Sequence, residues 1–106
     1  MWIFLSDSFL SIVNAVDRPN DLLVRARRAG DIERVFPKAQ VFSLPKSDYR
    51  YRAFVPRADV AAALAAQVTG IGYTNFKNSV ADNDRHDAYL RVWQEMVWWQ
   101  NSALKR

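Results

Sequence analysis

The chain has no cysteine. Disulfides, thiolate nucleophiles and every cysteine-based zinc site are therefore excluded. A small domain that folds without disulfides fits the cytoplasm, which is the expected location. Glycine is almost as scarce, with Gly30, Gly70 and Gly72 the only three. Neither a phosphate-binding loop nor a dinucleotide fingerprint can be written with them. No stretch approaches the roughly 20 apolar residues of a membrane helix. The apolar start Met1-Trp2-Ile3-Phe4-Leu5 lacks the basic region and small-residue cleavage site of a signal peptide.

Histidine occurs once, at His86, beside Asp82, Asp84 and Asp87. Oxygen ligands in such a cluster would suit magnesium or calcium. The segment lacks the glycine and distal glutamate of a calcium loop, and acidic residues gather at helix starts as caps. Capping is the simpler reading, so no metal is expected. No Gly-x-Ser-x-Gly elbow exists, and the lone histidine lies in a polar segment. A non-catalytic protein without catalytic residues or cofactor is expected.

What is present is enough for one fold. At 106 residues with half of them hydrophobic, one modest core in one domain is expected. Aromatics make up 13%, which argues against disorder. The net charge of +4 and pI of about 9.8 are compatible with nucleic acid or an acidic partner, and equally with neither.

Periodicity predicts the elements. Trp2 to Leu5 and Phe9 to Val13 form a hairpin across Ser6-Asp7-Ser8. Leu22 to Arg27 is a strand with Leu22, Val24 and Ala26 on one side. Gly30 to Phe36 is a short helix ended by Pro37. Val41 to Leu44 and Tyr49 to Val55 are strands. In the second, Tyr49, Tyr51, Ala53 and Val55 share a face, with Arg50, Arg52 and Phe54 on the other. Asp59 to Val68 is an alanine-rich helix with the stripe Val60, Leu64 and Val68. The last element, from about Asp84 to Leu104, is a long amphipathic helix. The predicted class is α+β: an antiparallel sheet, made of an N-terminal hairpin and a ferredoxin-like split β-α-β unit, backed by helices.

Met1-Trp2-Ile3-Phe4, Leu22 to Arg27, Asp48-Tyr49-Arg50-Tyr51-Arg52, Ile71 to Lys77 and Tyr89-Leu90-Arg91-Val92-Trp93 together resemble a widespread family of small uncharacterised bacterial proteins. The resemblance spans most of the chain. It implies a compact, stand-alone cytosolic domain and brings no site residues with it. The run Met96-Val97-Trp98-Trp99 lies outside the pattern.

Two constellations point to partners. Arg25 and Arg27 share a strand face, as do Arg50 and Arg52. If the two strands are neighbours, four guanidinium groups form a platform for nucleic acid or an acidic protein. Against this, only Phe54 is expected beside them, whereas RNA-binding sheets present several aromatics. The simpler reading is a solvated face or pairing with acids of the last helix.

The second constellation is tryptophan, which occurs three times between Trp93 and Trp99. At about 100° per residue, Val92, Trp93, Met96 and Ala103 fall within roughly 60° of Tyr89. Leu90, Val97, Trp99 and Leu104 widen this stripe to about half the circumference. Trp93 and Trp99 are thus expected in the core. Trp98 falls opposite, among Arg91, Gln94, Glu95 and Ser102, as a candidate contact for another chain. The expected function is non-catalytic binding, through the last helix, of a protein partner or a second copy. A phage-encoded inhibitor of host defence, such as an anti-CRISPR protein, is an alternative by analogy of size and style. Nucleic-acid binding through the arginine face is another. No membrane association is expected.

Overall fold

Alternation of apolar residues along the strands sets the two faces of the sheet. The structure is a computed structural model that describes residues 1–104. They divide into two compact units, Met1–Gly72 and the segment from Tyr73 onward. The first unit holds five strands: β1 (Trp2–Phe4), β2 (Phe9–Asn14), β3 (Asp21–Ala26), β4 (Phe42–Ser43) and β5 (Tyr51–Pro56). Two helices, α1 (Asp31–Val35) and α2 (Arg57–Thr69), complete it. All pairings are antiparallel, in the order β1-β2-β3-β5-β4.

The chain leaves β3, passes through α1, and returns as β4 with a gap that β5 then fills. This is the expected split β-α-β order, and the hairpin extends the sheet beside β3. Register places Leu10 opposite Ala26, Ile12 opposite Val24, and Val24 opposite Ala53. These residues and Val55 share one face and bury against Ile32, Phe36 and Val60 from the helical side. Each fully buried side chain of this size contributes about 1.5–3 kcal/mol.

Polar contacts hold the helices to the strands. Gly30 has φ +90° just before α1, where a Cβ would be strained and would meet the Arg34 guanidinium at 3.3 Å. The carboxylate of Asp31, only 1% exposed, accepts the Phe9 N–H at 2.9 Å and an Arg34 N–H at 2.8 Å. Arg34 also donates to the Asp7 carbonyl at 3.2 Å. Asp31 therefore links α1 to the hairpin as well as facing the helix dipole. At α2, Arg57 donates to the Pro19 carbonyl at 2.9 Å and to Asn14 Oδ1 at 2.8 Å.

Three local expectations are corrected. Strand β5 begins at Tyr51 rather than Tyr49. The Asp48 carboxylate accepts the Tyr49 N–H at 2.8 Å, and the Leu44 N–H bonds to the Arg50 carbonyl at 2.8 Å, so a turn claims both residues. Helix α2 begins at Arg57, directly after Pro56. Its stripe is buried at Val60, half-buried at Leu64, and open at Val68, which is 66% exposed. The last turn of α2 extends past the part of the helix that packs on the sheet.

The second unit consists of a short 3-10 turn, Lys77–Ser79, and the long helix α3 (Asn83–Leu104). Among the described residues no helix is long and apolar enough to cross a membrane.

Candidate functional site

Helix α3 starts where the sequence supplies a cap. The Asp82 carboxylate accepts the Arg85 N–H at 2.8 Å, and its carbonyl accepts the His86 N–H at 2.8 Å. A side-chain oxygen bonding an orphan N–H of the first turn is N-capping. Asp82 therefore has the structural role that its position suggested. His86 Nδ1 lies 3.6 Å from the Asp87 carboxylate.

The segment before the helix covers its first turns. Tyr73 meets Phe76 edge-on at 5.5 Å, and Phe76 stacks on Tyr89 at 5.7 Å between centroids. Tyr89 is buried. Lys77 Nζ sits 5.0 Å over the Trp93 ring. Each such contact adds on the order of 0.5–1.5 kcal/mol to plain burial.

Beyond this cover the apolar side of α3 is open. Trp93 is 51% exposed, Trp98 68% and Trp99 70%. Val92, Met96 and Leu104 are exposed as well. Trp93 and Trp99 are therefore not core residues, contrary to expectation. A stripe specifies which side is apolar and not what packs on it, and of this one only Tyr89 is buried. Here the covering segment reaches only to Trp93. On the side around Trp98, an open depression of about 480 Å³ is lined by Arg91, Trp93, Gln94, Glu95, Val97 and Trp98. The structure thus brings Arg91, Gln94, Glu95 and Trp98 together at one surface feature.

The arginine face is organised differently. Arg25 and Arg52 stand opposite each other in register, on the side away from the apolar core. Arg25 donates to Ser11 Oγ at 2.7 Å. Arg27 donates to the Asp48 carbonyl at 2.8 Å. Arg52 donates to the Tyr49 carbonyl at 3.2 Å and to Ser47 Oγ. The Tyr49 ring lies under two guanidinium groups, at 4.6 Å from Arg25 and 4.2 Å from Arg27. Tyr49 was expected to alternate away from the arginines. Because it precedes β5, strand alternation does not govern it. Arg50 also precedes the strand and is exposed. Three of the four arginines thus clamp the turn at residues 44–50 onto the sheet.

One carboxylate serves this clamp. The Tyr49 N–H, and then the Ser47 hydroxyl and the Arg25 and Arg52 charges, hold Asp48 below its ordinary carboxylate pKa. Sequence reasoning also missed Phe42, whose register partner is Arg52, so it shares the arginine face. Its ring stacks on Phe54 at 5.9 Å, and Arg18 lies 3.9 Å over Phe54. The pairing of β4 with β5 would have revealed it, but a two-residue strand carries no readable register.

The chain matches no family model, no curated protein and no solved structure. The functional reading therefore rests on the geometry of the two surfaces.

Proposed function

We propose that the protein is a non-catalytic protein-docking domain whose contact surface is the second half of α3. The observation that carries this is three tryptophans of one helix, each more than half exposed. Tryptophan is enriched among residues that dominate binding energy, and two of the three, Trp93 and Trp98, line one depression. The depression beside Trp98 combines apolar Trp93, Val97 and Trp98 with polar Arg91, Gln94 and Glu95, a mixture that suits a protein contact. An inhibitor of host defence would be one instance of such a domain.

Photo-crosslinking in cells tests the proposal. A photoreactive residue at Gln94 is expected to yield a discrete protein adduct, and the same residue at exposed Val16 is not. Adding Trp98→Ala is expected to abolish the adduct while stability stays within about 0.5 kcal/mol of wild type. Equal labelling at both sites, or an adduct indifferent to Trp98, would contradict the proposal.

The sheet supports a second reading. Phe42 and Phe54 are exposed beside Arg18 and the arginine clamp, and aromatics among cations suit stacked single-stranded nucleic acid. Binding of random single strands that weakens with salt and is lost in Phe54→Ala would support it; no binding at low salt would remove it.

A further inference from the structure

The side of α3 away from Trp98 has its own pattern. Val92, Met96, Trp99 and Ala103 follow one another at spacings of four, three and four residues. This is the a/d spacing of a helix-pairing seam. Tyr89 opens the same seam three residues earlier, and Phe76 already stacks on it. From Val92 onward all four seam residues are exposed.

We infer that this seam pairs with the seam of a second copy of the chain, in antiparallel orientation. A two-fold axis between Val97 and Trp98 sets Val92 opposite Ala103 and Met96 opposite Trp99, and repeats both pairs on the other side. Each pair sets a larger side chain against a smaller or more adaptable one, as interdigitated packing requires. Such a surface complements itself, which is the property of an isologous interface. Charge does not oppose the pairing. Between Val92 and Leu104 the only charged residue is Glu95, so the net charge of +4 is not concentrated at the seam. The same neutrality gives a strongly charged partner nothing to recognise there.

The area sets the strength. At their observed exposures Trp93 and Trp99 leave open roughly 200–300 Å², given ~150–250 Å² per aromatic side chain. With Val92, Met96 and Ala103, each copy contributes roughly 350–450 Å². A pair then buries ~700–900 Å², in the range of weak, transient contacts. The dimer is therefore weak, with a dissociation constant on the order of 1–100 μM. Trp98 lies outside the seam and stays open on pairing, whereas Trp93, which also lines the depression, flanks the seam.

Sedimentation equilibrium of the full chain from about 1 to 500 μM tests the pairing. The mass is expected to rise with concentration from 12.2 kDa towards twice that value. Met96→Glu buries a charge in the seam and is expected to raise the dissociation constant at least about tenfold. Trp98→Ala is expected to leave it unchanged, with circular dichroism confirming the helix in both. Orientation is read by disulfide trapping, because the chain has no cysteine of its own. A mixture of Val92→Cys and Ala103→Cys chains is expected to form mixed disulfides in preference to either homodisulfide. A monomer at the highest concentration, or a dimer indifferent to Met96→Glu, would overturn the inference, as would predominant homodisulfides. A monomer that still gives the Trp98-dependent adduct would remove self-pairing and leave the docking function standing. A dimer without that adduct would do the reverse.

Discussion

Asp31 shows what a single residue does in this sheet. Its buried carboxylate receives hydrogen bonds from the Phe9 N–H and from Arg34. Asp31→Ala would leave both donors without this acceptor inside the protein. Arg34 is half exposed and keeps the Asp7 carbonyl, so the main cost is the unsatisfied Phe9 N–H, about 1–3 kcal/mol, and denaturant titration is expected to register a loss of that size. Asp48 is the contrasting case, an exposed carboxylate with a lowered pKa. A depressed folded pKa contributes stability that is present above the unfolded value of ~3.9. That contribution is lost as pH falls through the folded pKa. The Tyr49 amide shift, followed by NMR, is therefore expected to titrate with a midpoint below the ordinary aspartate value. A midpoint at or above that value would show that the Tyr49 N–H bond does not hold the carboxylate.

Among the elements, those with strong internal periodicity were legible in the sequence. Strands β2, β3 and β5 and helices α2 and α3 were readable because alternation or a 3.6-residue stripe runs through each. The ends were less so. Tyr49 and Arg50 look like strand residues, but the Asp48 carboxylate captures the Tyr49 N–H and turns the chain. Phe42 was placed in a strand without its register, so its position beside Arg52 could not be read. In α3 the stripe was visible and its cover was not. The cover comes from Phe76 and Lys77, whose segment has no periodicity to betray where it folds. The Asp82 cap, by contrast, was legible, because capping needs only one residue at one position. Asp82→Ala removes the bond to the Arg85 N–H. It is expected to cost about 1 kcal/mol, seen as faster amide exchange in the first turn of α3.

For the whole molecule, the apolar residues divide between two roles. Leu10, Ile12, Val24, Ile32 and Val60 close the core of the first unit. The tryptophans of α3 are each more than half exposed among the described residues, so their substitution should separate function from stability. Ile32→Ala is expected to lower unfolding free energy by about 2–5 kcal/mol. Trp98→Ala and Trp99→Ala are expected to change it little. This separation depends on α3 being uncovered within a single chain. Acrylamide quenching of tryptophan fluorescence tests that directly, on chain diluted well below micromolar concentration. All four indoles, Trp2 included, are exposed, so quenching close to that of the urea-unfolded chain is expected. Strong protection of the tryptophans in the dilute folded chain would mean that α3 is covered from within, and the docking surface would not exist.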